Sequence, residues 1–191
     1  MQLTDLMHRM ETGDDTAKNE FFEAVYDTLH RQAQGYMRRQ SRQHTLWVTD
    51  VVHGAYAKMC GGSSMHWNDR HHFFSVAAKA MEQLLVDHAR GKGRQKRTPL
   101  GKREALDDLQ AAFEATILTK TANILDVHEA LGVLEQFAPR PADIARQKFF
   151  GQLSMDRIGT GLGIPKRTVE REWAFAREWL RMWLKSHGRR I

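Results

Sequence analysis

The spacing of apolar residues does most to limit what this chain can fold into. They recur every three to four positions along nearly its whole length, and no strict alternation runs long enough to bury one face of a strand. Such spacing collects apolar groups on one stripe of a helix, so an all-α protein is expected. From about Lys18 to Arg39, Phe21, Val25, Leu29, Ala33 and Met37 return every fourth residue, and Phe22, Tyr26 and Tyr36 widen the stripe. Gly13, Asp14, Asp15 and Thr16 precede it, placing acidic groups where the helix dipole favours them.

A second helix is expected from about Thr49 to Cys60, with Val48, Val52, Ala55 and Met59 on one face and Gly61, Gly62, Ser63 and Ser64 ending it. A third runs from about Asp69 to Ala89 behind Asn68 as N-cap, with Phe73, Phe74, Ala77, Ala80, Met81, Leu84 and Leu85 turned inward. These helices should form one bundle, a first domain spanning 1–97.

After Asp87 the composition changes. Arg90, Lys92, Arg94, Lys96, Arg97, Lys102 and Arg103 follow with no acid between them, and Gly91, Gly93, Pro99 and Gly101 discourage helix. The sign then reverses, with Glu104, Asp107, Asp108, Glu114, Asp126, Glu129 and Glu135 against Lys120. A linker over 98–122 is expected, then a second helical domain over 123–191. That domain opens with Ile124, Val127, Leu131 and Leu134 on one face, stopped by Pro139 and Pro141, and a short helix from Ala142 to Phe150 follows.

A chain of 191 residues suits two such small domains. Lys and Arg exceed Asp and Glu by 29 to 23, a net charge of +6, which points to a polyanionic partner, either nucleic acid or an acidic membrane. No segment approaches the roughly 20 apolar residues of a membrane span. Met1 to Glu11 is polar, without the apolar stretch of a signal peptide. A soluble, cytoplasmic protein is therefore expected.

Cys60 is the single cysteine and has no internal disulfide partner; it reads as a small apolar residue near a helix end. Cys60, His66, His71 and His72 lack the short paired spacing of a tetrahedral zinc site, so no metal or other cofactor is expected. No Gly-rich phosphate loop, Ser-His-Asp order or carboxylate pair stands out, which argues against an enzyme.

The segment Ser154 to Trp173 is the most informative. A short helix carrying Met155 and Ile158 leads to Leu162, Gly163 and Ile164, and a new helix starts after Pro165. Gly159 must be small for the second helix to cross close above it, Gly163 can take the left-handed turn, and Ile164 and Val169 pin both helices to one core. Pro165 costs no hydrogen bond at a helix start. This is the pattern of a helix-turn-helix. Its second helix would present Lys166, Arg167, Thr168, Glu170 and Arg171 to a major groove, arginine to guanine or phosphate and glutamate to cytosine. The other reading is a helical hairpin whose charges are only solvated. Beyond Trp173, Ala176, Trp179, Leu180, Trp183 and Leu184 read as core.

Two distant segments resemble one family, the extracytoplasmic-function (ECF) branch of the sigma-70 superfamily. Trp47 to Tyr56, Trp67 to Phe74, Ala77 to Met81 and Leu85 to Arg90 are similar to its region 2. Phe149 to Gly151, Leu153, Ser154 and Arg167 to Leu180 are similar to its region 4. The resemblance implies a non-enzymatic protein that binds core RNA polymerase at the β′ clamp helices and the β flap, opens the minus-10 promoter element with its N-terminal bundle, and reads the minus-35 element with its helix-turn-helix. It adds an anti-sigma factor as a candidate partner.

Residue by residue, the resemblance makes Asp50, His53 and Tyr56 candidates for polymerase binding. Trp67, Asn68, Arg70, His71, Lys79, Gln83 and Arg90 become candidates for the minus-10 element. Trp67 either stacks on an extruded base or caps the bundle. Three departures stand out: Gly54 where a glutamate is usual, Glu82 and Gln83 where a basic pair is common, and Arg157 where an acid is usual, in a short helix that also holds Gly159 and Gly161. A stand-alone helix-turn-helix regulator, binding duplex DNA as a dimer on a palindrome, is the rival reading. An RNA-binding or membrane-surface adaptor would rest on the basic linker alone.

Overall fold

The computed structural model describes residues 3–37, 47–60, 67–95 and 124–187, with side chains for all of these except 35–37 and 92–95. The expected linker over 98–122, the turn at Gly61 to Ser64, His66 and the side chains of Tyr36 and Met37 lie outside that description. Every regular element among the described residues is an α-helix, in agreement with the expected fold class.

The first helix, α1 (Leu3–Glu11), has no counterpart in the expectations above, yet its short Leu6, Met7 and Met10 stripe is buried. The second, α2 (Asp15–Met37), starts where the acidic cluster placed it. Asp14 is its cap: one carboxylate oxygen accepts from the backbone N–H of Thr16 (2.9 Å) and Ala17 (3.3 Å) and from the Thr16 hydroxyl (2.6 Å). The other oxygen accepts two bonds from Arg9 (2.7 and 2.9 Å), whose guanidinium also reaches Glu20 at 2.8 Å. The Thr16 hydroxyl and Arg9 hold the Asp14 carboxyl down at about 2.

A carboxylate whose pKa falls on folding stabilises the folded chain above its unfolded pKa, near 3.9, and loses that contribution as pH drops through the folded value. Asp14→Asn is therefore expected to weaken the fold at neutral pH and to flatten the acid limb between about pH 4 and pH 2. Denaturant melts of both chains across that range check it; parallel acid limbs would refute the assignment.

Phe21, Val25, Leu29 and Ala33 of α2 are 0–1% exposed, as their spacing predicted. They pack against α3 (Val48–Cys60), which buries Val51, Val52 and Ala55. α3 crosses α4 (Arg70–Gln95) closely at Gly54, where an added Cβ would lie 3.0 Å from Leu84 Cδ1. The glycine that departs from the family pattern is thus a packing residue. Asp69, one residue after the expected Asn68, caps α4 by accepting from the His72 N–H at 2.8 Å. α4 also runs past the expected end at Ala89 to Gln95. Extension of an existing helix needs no new nucleus, which offsets the glycine penalties at 91 and 93.

The C-terminal group consists of α5 (Ile124–Phe137), α6 (Pro139–Phe149), α7 (Met155–Leu162) and α8 (Lys166–His187). Pro139 does not only stop α5; it occupies the first position of α6, which begins three residues earlier than expected. Ala130, Leu131, Leu134, Ile144, Phe149, Ile158, Leu180 and Leu184 form the centre of this group.

The two groups are in contact. α4 packs on α3 with one face and on α5, α6 and α7 with another. That double duty explains why Ala78, Glu82 and Val86 are buried in addition to the expected stripe. A wide buried arc is the mark of a helix covered on two sides.

Candidate nucleic-acid interface

α7 and α8 are joined by a three-residue turn whose chemistry the sequence specifies closely. Ser154 caps α7 by accepting from the Arg157 N–H at 3.2 Å. Gly163 ends it with φ of 64°, the left-handed conformation anticipated for it, and the Ile164 N–H returns to the Gly159 carbonyl at 3.0 Å. An added Cβ on Gly159 would lie 2.8 Å from the Ile164 carbonyl oxygen and 3.5 Å from Val169 Cγ2, so the turn itself as well as the next helix forbids a side chain there. The Pro165 carbonyl accepts from the N–H groups of Thr168 (2.9 Å) and Val169 (3.2 Å) to start α8. Ile158 and Val169, both 0% exposed, clamp the two helices together. Gly163→Ala is expected to cost about 1–2 kcal/mol, the penalty of a left-handed non-glycine residue, measurable by denaturant unfolding.

The start of α8 projects from this clamp. Lys166, Arg167, Glu170 and Arg171 are exposed and Thr168 is half-buried. Lys166 bridges back across the turn to Asp156 at 2.9 Å, which raises its pKa above the ordinary lysine value. Arg167 and Arg171 form no ion pair with a described residue. Their neighbour Glu172 accepts two bonds from Arg140, one from Nε at 2.8 Å, and these bonds, with the charges of Arg140 and Arg171, hold its carboxyl below the usual glutamate range. This pair ties the start of α6 to α8 and fixes how the basic turn is held.

Further along, Ala176, Leu180 and Leu184 are core, as expected. Trp173, Trp179 and Trp183 only half bury. The ring of Phe137, 57% exposed, meets Trp179 edge-on at 5.4 Å, and Met182 is 58% exposed nearby in sequence. An apolar surface remains open along this side of α8.

In the N-terminal group the candidates separate. Asp50 is exposed and its carboxylate accepts from the Trp47 N–H at 2.9 Å; His53 is exposed and edge-on to Phe22 at 5.5 Å. Tyr56 turns inward: its hydroxyl donates to the Lys18 carbonyl at 2.9 Å, its ring sits 4.4 Å from Phe22, and burial pushes its pKa well above the usual tyrosine range. Burial likewise raises the Cys60 thiol, as its reading as a small apolar residue requires.

Trp67 is 7% exposed, stacked on Phe21 at 5.7 Å and edge-on to Phe73 at 5.1 Å. Of its two readings, the structure places it as the cap of the bundle, and its face is not presented to a base in this arrangement. Asn68 and Arg70 are exposed, with the Arg70 guanidinium 5.9 Å from the Phe74 ring centre.

Lys79, Gln83 and Arg90 are exposed and, at about 100° per residue, share one face of α4. Arg70 and His71 lie elsewhere. Together with Phe74, Gln147, Leu153 and Arg157 they line a cavity of about 110 Å³ between α4 and the C-terminal group. The structure therefore does not gather all the minus-10 candidates on one surface.

Sequence reasoning missed a polar cluster between α4 and the C-terminal group. Glu82 and Arg146 are 3% and 6% exposed, and the Arg146 Nε donates to Glu82 at 2.6 Å. Arg146 also donates to Glu135 at 2.9 and 3.4 Å, and His128 Nδ1 lies 2.8 Å from the other Glu82 oxygen. Burial works against the charge on Arg146, but the two carboxylates outweigh it and its pKa stands above the ordinary arginine value. The signal was available: an acid at 82, where the family resemblance leads one to expect a basic pair, asks for a cation of its own.

No helix among the described residues is long and apolar enough to cross a membrane, and no group of His, Cys, Asp and Glu among them could hold a metal ion. No curated protein matches the chain. The family model for the ECF sigma factor matches residues 1–186, across both helical groups, and the chain belongs to the ECF sigma factor family.

Proposed function

We propose that this chain binds core RNA polymerase and directs it to promoters whose minus-35 element is read by α7 and α8 acting as a helix-turn-helix. The observation that carries this reading is the exposed first turn of α8, where Arg167 and Arg171 form no ion pair with a described residue while Asp156 and Glu172 are bonded to Lys166 and Arg140. Exposed arginines at a helix start suit guanine edges and phosphates. Asp50 and His53, on the open side of α3, are the proposed contact to the β′ clamp helices. The exposed apolar side of α8 around Phe137, Trp179 and Met182 suits the β flap, since a patch of this kind marks a protein contact. Lys79, Gln83 and Arg90 would face the opened minus-10 strand.

The sigma factor contributes binding energy and DNA deformation, and the polymerase performs the chemistry. Run-off transcription with purified core polymerase and genomic promoter fragments tests the proposal, alongside a pull-down with core enzyme. Defined transcripts that need the added chain are expected. Failure both to associate with the core and to initiate on any fragment would refute it.

A further inference from the structure

We propose that the cavity between the start of α4 and the start of α7 binds one tetrahedral oxyanion, in the cell a phosphate group, either inorganic phosphate or the terminal phosphate of a small metabolite. Its volume of about 110 Å³ takes a single such group and leaves the rest of a larger ligand outside the rim. Phe74, Gln147 and Leu153, 4%, 4% and 5% exposed, form its floor, half-buried His71 its wall, and exposed Arg70 and Arg157 its rim. Two guanidiniums and an imidazole from two helices thus surround one small space. No carboxylate is among the described residues that line it. Arg70 and His71 are also the two candidates that do not share the face of Lys79, Gln83 and Arg90 on α4.

The acids nearest in sequence bond elsewhere. Asp69 accepts from the His72 N–H at 2.8 Å, Asp156 is bonded to Lys166 at 2.9 Å, and Asp143 accepts from the Gln147 amide at 2.9 Å. An amide nitrogen carries two hydrogens, so Gln147 keeps one for the floor of the cavity. Arg70 and Arg157 form no ion pair with a described residue. The backbone adds to the same potential: Arg70 and His71 open α4 and Arg157 lies in the first turn of α7, so the positive ends of two helix dipoles meet here. The N–H groups of Arg70 and His71 have no helical carbonyl to bond.

Arg157 makes the site particular to this chain. An acid is usual at that position in the family pattern, and an acid there would cancel one charge of the rim. Like charges held around one space repel, whereas an anion among them removes that cost and offers the guanidiniums paired bonds.

Isothermal titration of the full chain with inorganic phosphate, against sodium chloride of matched ionic strength, is the test. One saturable site per chain is expected, with a raised melting temperature when it is filled. Arg157→Glu and Arg70→Gln should each weaken binding about tenfold or more, since each removes a charge-assisted bond. Glutamate suits the first turn of α7, so that variant should fold, and circular dichroism melts check both. Lys185→Glu, the same change of charge at an exposed position near the end of α8, should bind as wild type. Adenosine monophosphate competing more tightly than phosphate would assign the site to the terminal phosphate of a metabolite, and failure to compete would assign it to inorganic phosphate. Absence of saturable binding beyond the chloride control would overturn the proposal. So would equal weakening by Lys185→Glu, the mark of diffuse surface charge, or undiminished binding in both rim variants, which would place the anion elsewhere.

Discussion

Replacing Arg167 and Arg171 with alanine together should abolish transcription from promoters that depend on the minus-35 element, with core polymerase binding unchanged. Both side chains are exposed at the start of α8 and form no ion pair with a described residue, so their removal strands no buried group. Exposed substitutions of this kind move stability by about 0.5 kcal/mol or less. An arginine on a guanine edge contributes about 1–3 kcal/mol of discrimination, and losing two removes about 2–6 kcal/mol, a drop in occupancy of about thirtyfold or more. Run-off transcription from one minus-35-dependent promoter, with a core pull-down in parallel, reads both halves of the expectation. Loss of core binding, or full transcription, would contradict the role assigned to α8.

The second large effect separates structure from function at a single aromatic. Trp67→Ala should destabilise the isolated chain by about 3–5 kcal/mol, the cost of emptying a buried aromatic site. That is a large share of the roughly 5–15 kcal/mol that holds a domain together. The cause is the contact of its ring with Phe21 and Phe73 at the centre of the N-terminal bundle. Trp67→Phe should recover part of the loss, because a smaller ring can still meet Phe73. Urea unfolding without DNA or polymerase is the measurement. If alanine left the unfolding midpoint in place, Trp67 would be free of the core and available to an extruded base.

What the sequence made legible follows from where the governing physics is local. The stripe at Phe21, Val25, Leu29 and Ala33, the left-handed turn at Gly163 and the crowding at Gly159 depend on residues close along the chain, and each was readable. The start of α4 slipped by one residue because Asn68 and Asp69 are comparable caps and only the His72 N–H bond selects between them. α1 went unread because four apolar residues in a helix of only nine give a short stripe until α2 covers it.

The larger omission was tertiary. Residues 82, 128, 135 and 146 come from three helices, and no local pattern announces that they meet. Tyr56 and Trp67 show the same limit. An aromatic beside a predicted surface can serve either side, and Lys18 and Phe21, distant in sequence, decide which.

α8 is braced at both ends of its buried stripe: Val169 meets Ile158 beside the turn, Glu172 is bonded to Arg140, and Ala176, Leu180 and Leu184 fill the distal half. From Val169 to Leu184 the anchors span about 22 Å at 1.5 Å per residue. A beam pinned at two points cannot swing freely, so the direction in which its exposed first residues aim is set by the core that holds both pins. On the proposed reading, a substitution at Leu180 or Leu184 that keeps the fold should shift preference among promoter sequences from inside that core.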